Sequence, residues 1–126
     1  MNILIVDKDP LFTTAVSSVL RSQNYRVSIA NDGKQAAKAL NEGSYGLVII
    51  DMLMSYTSGL EVVSNIRQTT GMQDTTVMVV SSIANKQSLN NWKVVGADTY
   101  MQKPLNISTL LEKIGELTPK EIAHAA

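Results

Sequence analysis

Three stretches of this chain are apolar at every position instead of every second one: Ile3-Leu4-Ile5-Val6, Leu47-Val48-Ile49-Ile50 and Val77-Met78-Val79-Val80. A run with no polar face predicts a strand buried on both sides of a parallel sheet. Two weaker runs, Tyr25 to Ile29 and Asp98 to Met101, read as the second and fifth strands. Apolar residues at three- and four-residue spacing separate them. Leu11, Phe12, Ala15, Val16, Val19 and Leu20 give one helical face through about Ser22, and Asp9-Pro10 supplies a cap followed by proline at the first helical position. Ala36, Ala37, Ala39 and Leu40 build a second helix that Gly43 ends, and Leu60, Val62, Val63 and Ile66 a third. Asn85 to Val95, with Leu89 and Trp92, reads as a weakly amphipathic fourth helix, and Ile107, Leu110, Leu111 and Ile114 mark a fifth. Strands alternating with helices through short turns predict an α/β domain, with right-handed crossovers and helices on both faces of the sheet.

At 126 residues the chain fits one domain, expected over 1–117, with 118–126 as a C-terminal tail or linker start. Eleven Lys and Arg balance eleven Asp and Glu, so no overall field draws the protein to nucleic acid or to an anionic membrane. With no cysteine there is no disulfide framework, thiol nucleophile or thiolate metal site. The N-terminus lacks a basic leader, and no stretch approaches the ~18 apolar residues of a membrane span. A cytoplasmic location is the expectation, with neither direct nucleic-acid nor membrane partners.

Parallel α/β sheets bind their ligands outside the carboxyl ends of the strands. That edge should gather Asp7, Lys8 and Asp9 from the first strand, Asp51 from the third, Ser81 from the fourth and Lys103 from the fifth. Carboxylates can hold a hard divalent cation, while a hydroxyl and an ammonium can hold phosphoryl oxygens. Asp51 can then serve as a nucleophile that forms an aspartyl phosphate.

From Ile3-Leu4-Ile5-Val6-Asp7 through Val48-Ile49-Ile50-Asp51 and Val79-Val80-Ser81 to Gly96-Ala97-Asp98-Thr99-Tyr100-Met101-Gln102-Lys103-Pro104, the chain resembles the receiver domains of two-component response regulators. The resemblance implies a flavodoxin-like (βα)5 fold with strand order 2-1-3-4-5. It makes Asp51 the phosphoacceptor, Ser81 the switch hydroxyl, Lys103 its phosphoryl-binding partner and Tyr100 the aromatic that moves inward on activation. It also implies a cis Lys103–Pro104 bond, which prolyl bonds tolerate. The implied cofactor is Mg2+, held by Asp7, Asp51 and the backbone carbonyl of Leu53. The implied partners are a histidine kinase or phosphotransfer protein upstream, an output protein or domain downstream, and a second copy through the face of the fourth helix, fifth strand and fifth helix. Such a receiver is not an enzyme beyond its own phosphotransfer and slow self-dephosphorylation.

The chain departs from that family at Lys8, where most receivers carry a second acid that binds magnesium directly. An ammonium there repels the cation, and two unit charges at 4 Å interact by ~4 kcal/mol at an effective dielectric of ~20. Either Asp9 substitutes as ligand, although the cap already occupies it, or Lys8 pairs with Asp51 and fills the metal's place. The latter would give a pseudo-receiver, an interaction module not regulated by phosphorylation. Ser55 replaces a common proline, which loosens the loop after Asp51. The resemblance puts Leu53 and Ile83 at positions that influence how water reaches the phosphoryl group, and their apolar bulk predicts slow hydrolysis. Asp7-Lys8-Asp9 also resembles the Asp-x-Asp signature of haloacid-dehalogenase-type phosphohydrolases, but Pro10 replaces that family's Gly-Thr and no acidic pair follows Lys103. A flavodoxin would need a Ser/Thr/Gly-rich phosphate loop where Asp7 and Asp9 stand. His124, in the tail, is assigned no role.

Overall fold

The computed structural model describes residues 1–52, 59–69, 71–72, 74–82 and 96–117. Five parallel strands, β1 (Asn2–Val6), β2 (Arg26–Ala30), β3 (Leu47–Asp51), β4 (Thr76–Ser81) and β5 (Thr99–Gln102), form one sheet in the order β2-β1-β3-β4-β5. The unbroken apolar runs are the three central strands. Every residue from Ile3 to Val6, Leu47 to Asp51 and Val77 to Ser81 is buried.

Because side chains alternate across a strand, each central strand feeds two cores. Leu4, Val6, Val48, Ile50, Val77 and Val79 face one side, where α2 (Gly33–Glu42) and α3 (Gly59–Gln68) add Ala36, Val62, Val63 and Ile66. Ile3, Ile5, Leu47, Ile49, Met78 and Val80 face the other, covered by Val16 and Leu20 of α1 (Pro10–Ser22) and by Leu110 and Ile114 of the C-terminal helix (Ile107–Leu117). At ~1.5–3 kcal/mol for each large aliphatic side chain removed from water, these two layers are the main stabilising term.

The face of α1 differs from the one its apolar residues predict. Leu11 is 82% exposed and Ala15 is exposed, whereas Thr13 and Ser17 are buried beside Val16 and Leu20. The two hydroxyls donate to the helix's own carbonyls, Thr13 to Pro10 at 3.2 Å and Ser17 to Thr14 at 3.1 Å, so burying them leaves nothing unsatisfied. Small self-bonded side chains thus face the sheet where a hydropathy pattern would put larger apolar ones. The second strand also runs one residue later than the pattern suggests, at the half-exposed edge of the sheet.

The fourth helix predicted over 85–95, with Trp92, lies outside the described residues, as do Ser55 and the tail 118–126 with His124. None of the described helices is long and apolar enough to cross a membrane.

Candidate functional site

β1, β3 and β4 deliver their last or next residues to one edge. Asp7 directly follows β1, and its N–H donates to the Ala30 carbonyl at the end of β2 at 3.0 Å. The turn beyond it is held by two hydrogen bonds. The Asp9 N–H donates to Asp7 Oδ1 at 2.9 Å, and Asp9 Oδ1 accepts the Leu11 N–H at 3.0 Å as the N-cap of α1. Asp51 ends β3 and Ser81 ends β4, with Asp51 in register with Val80. Gly59 opens α3 against the end of β3: a Cβ there would lie 2.1 Å from the Asp51 carbonyl oxygen, so only glycine allows this approach.

Lys103 closes the site from β5. Its N–H donates to the Ser81 carbonyl at 2.9 Å, and the Lys103–Pro104 bond is cis. The ammonium sits 2.7 Å from Asp7 Oδ2, 3.4 Å from Asp51 Oδ2 and 4.3 Å from the centroid of the Phe12 ring. Asp7 is 1% exposed and Asp51 7%, so both carboxylates are nearly dry. Burial alone would pull the Lys103 pKa down. The hydrogen bond to Asp7 and the negative charges of Asp51 and Asp7 outweigh it, and the pKa stands above the ordinary lysine value. Asp7, Asp51 and Lys103 therefore bring two carboxylates and one ammonium, an arrangement with one negative charge in excess.

Ser81 is fully buried at the end of β4. Tyr100, half-buried on β5, places its hydroxyl 3.5 Å from the Ser81 carbonyl, and burial raises its phenol pKa. Lys8 is exposed, and among the described residues it forms no ion pair. The expected alternative in which Lys8 bridges Asp51 is thus corrected: the lysine beside Asp51 is Lys103, because Lys8 lies on the outward side of a turn pinned by the Asp9-to-Asp7 bond. Asp9 Oδ1 is occupied as the helix cap. Leu53 and Ile83, expected to supply a carbonyl and to tune water access, lie outside the described residues.

The donor set fits a hard divalent cation through two carboxylates, Asp7 and Asp51, a number sufficient for a magnesium ion that keeps several waters. Both carboxylates already face the Lys103 charge, and no group of three His, Cys, Asp or Glu side chains suited to a metal occurs among the described residues. Phe12 went unnoticed in the sequence except as one apolar residue of a helix. Its position one turn past the Asp9 cap was the available signal, since that turn leans over the strand edge.

Comparison with known proteins extends over nearly the whole chain. The family model of the response regulator receiver domain matches residues 3–115. Response regulator ArlR of Staphylococcus epidermidis is 32% identical over 113 residues, covering 90% of this chain and 50% of ArlR. Among solved structures, the chemotaxis response regulator CheY4 of Vibrio cholerae aligns with a TM-score of 0.87 at 26% identity, over 92% of this chain and 97% of that one. Response regulator TrrA of Thermotoga maritima, solved in complex with Mg2+ and beryllium fluoride, aligns with a TM-score of 0.81 at 31% identity, also over 92% and 97%. The chain spans about half the length of the curated relatives it matches.

Proposed function

The chain belongs to the response regulator receiver domain family, and on that premise we propose that it takes up a phosphoryl group on Asp51 from a phosphohistidine of a kinase or phosphotransfer protein. An Asp51 carboxylate oxygen attacks phosphorus, the P–N bond to the donor imidazole breaks, and the imidazole leaves with the bonding pair. The observation that carries this reading is the Lys103 ammonium between two buried carboxylates, 2.7 Å from one and 3.4 Å from the other. That ammonium is placed to pass from Asp7 to a phosphoryl oxygen on Asp51 without leaving the pocket, a preorganised positive charge where negative charge accumulates. Asp7 and Asp51, with the Leu53 carbonyl, would hold magnesium. When bound, the ion neutralises phosphoryl oxygens.

The signal leaves through Ser81 and Tyr100. A hydrogen bond from the Ser81 hydroxyl to the phosphoryl group would shift the segment whose carbonyl faces the Tyr100 hydroxyl, biasing a two-state face toward the arrangement an output partner binds. A second copy docked through that face, or an output domain in the rest of a longer chain, are the partners this reading supplies. Family members act as signalling modules, and no turnover of a separate substrate is expected.

The residue type at position 8 favours a second reading, a pseudo-receiver whose partner binding ignores phosphorylation, since Lys8 gives the pocket no third carboxylate for magnesium. Acetyl phosphate with magnesium, followed by mobility on a phosphate-affinity gel, separates the two. The first reading expects a shifted band for wild type and none for Asp51→Asn. A shift that appears only in Lys8→Asp would establish the second.

A further inference from the structure

Lys103 has more than its two carboxylates to hold it. The ring of Phe12 lies 4.3 Å from its ammonium, near enough for the negative face of the ring to attract the charge. Phe12 and Lys103 both line an open groove of about 460 Å3 with Leu11, Ala15 and Leu105, so solvent reaches the pair from this side. The Lys103 side chain is nonetheless only 20% exposed.

We propose that Phe12 is a positioning residue for phosphoryl uptake: the face of its ring holds the Lys103 ammonium in the pocket between Asp7 and Asp51. The ring supplies what the carboxylates alone do not. Asp7 lies nearer than Asp51 and draws the ammonium to itself, while water in the groove would draw it outward. A π face on the open side removes the outward choice and leaves movement between the two carboxylates, the direction transfer requires. This rests on the receiver reading for its function, but the ring's hold on Lys103 is observable without any phosphoryl group.

Phe12, on α1, also packs against the core, so a truncation would confound packing with charge. Fluorinated phenylalanines at position 12 keep the shape of the ring while draining its face of negative potential step by step. The full chain carrying phenylalanine, monofluoro-, difluoro- and pentafluorophenylalanine is compared by NMR of the Lys103 ammonium, with the exposed Lys8 as internal reference, and by the rate of labelling with acetyl phosphate and magnesium.

The expected result is a ring-current shift of the Lys103 signal that shrinks along the series while Lys8 stays constant, with a labelling rate that falls about fivefold in total. A Phe12→Tyr variant, whose face remains rich in electrons, should keep both. A Lys103 signal unchanged along the series would overturn the proposal and reduce Phe12 to packing. So would a shifting signal with an unaltered labelling rate, since the ring would then hold the lysine without serving transfer. If no variant labels, including the unsubstituted chain, the receiver reading fails, and the NMR series alone decides whether the ring holds Lys103.

Discussion

Among the described residues two ion clusters join distant parts of the chain, and they are built differently. At the carboxyl edge of the sheet one lysine faces two carboxylates at unequal distances. At the opposite edge one arginine faces one carboxylate. Arg67 on α3 donates through Nε to the Gly96 carbonyl at 2.7 Å, through its guanidinium to the Thr75 carbonyl, and to Asp98 Oδ2 at 2.7 Å. That same Asp98 oxygen accepts the Val77 N–H of β4 at 2.8 Å. Gly96 completes the fit, because its φ of +99° suits glycine and a Cβ would come within 2.9 Å of Arg67 Cγ. A planar fork that fills fixed acceptors has one arrangement, whereas an ammonium on a flexible stem between two carboxylates has several. The balanced cluster ties α3 to the starts of β4 and β5; the unbalanced one keeps a cation movable and a negative charge in reserve.

Removing the arginine is the strongest way to expose the contrast. Arg67→Ala leaves the Thr75 and Gly96 carbonyls without their donor and Asp98 without its cation, and should lower unfolding stability by ~3 kcal/mol in urea denaturation. Arg67→Lys should recover less than half of this, because lysine lacks the fork. Labelling of Asp51 should persist wherever either variant remains folded. A loss under ~1 kcal/mol for Arg67→Ala would mean that the two clusters do not divide the work in this way.

Next in size is the charge beside Asp7. Lys8→Asp replaces an exposed cation with a third acid, and calorimetric titration should show magnesium affinity rising about thirtyfold, or ~2 kcal/mol. The increase should shrink in high salt, since Lys8 faces solvent. An unchanged affinity would show that Lys8 does not hold the cation off.

What the chain discloses before it folds follows the same division. Strands buried on both faces must be apolar throughout, so β1, β3 and β4 were plain, and the residues at their ends had to meet at one edge. Asp7, Asp51 and Lys103 do converge there. The inward face of α1 was hidden because Thr13 and Ser17 satisfy their own hydroxyls, which no hydropathy pattern records. Arg67 and Asp98 lie 31 residues apart and each is unremarkable locally, an arginine near a helix end and an acid before a strand. A guanidinium that reaches two carbonyls leaves no spacing to read. Lys8 was legible as an oddity, but whether its stem turned inward depended on the geometry of the Asp7-to-Asp9 turn.

The smallest expected effect is the one that tests the contrast most closely, because it reverses sign between the clusters. Among the described residues Asp98 has a single cation, Arg67 at 2.7 Å, so neutralising it forfeits an attraction and gains nothing. Asp51 stands second in line for Lys103, which is 0.7 Å closer to Asp7. Asp51→Asn removes a repulsion between two buried carboxylates and leaves Asp7 and Lys103 as a neutral pair with its short contact intact. Relief of the desolvation cost of a nearly dry carboxylate, together with that repulsion, should offset the lost attraction to an ammonium shared with Asp7, and stability should hold or rise by ~1 kcal/mol. Asp98→Asn should fall by a similar amount, since the amide oxygen still accepts the Val77 N–H but carries no charge for Arg67. Parallel urea denaturation of the two variants at neutral pH gives the answer. If Asp51→Asn loses as much stability as Asp98→Asn, then Asp51 contributes to the fold as Asp98 does, and the excess charge at the carboxyl edge is not held there against the molecule's own stability.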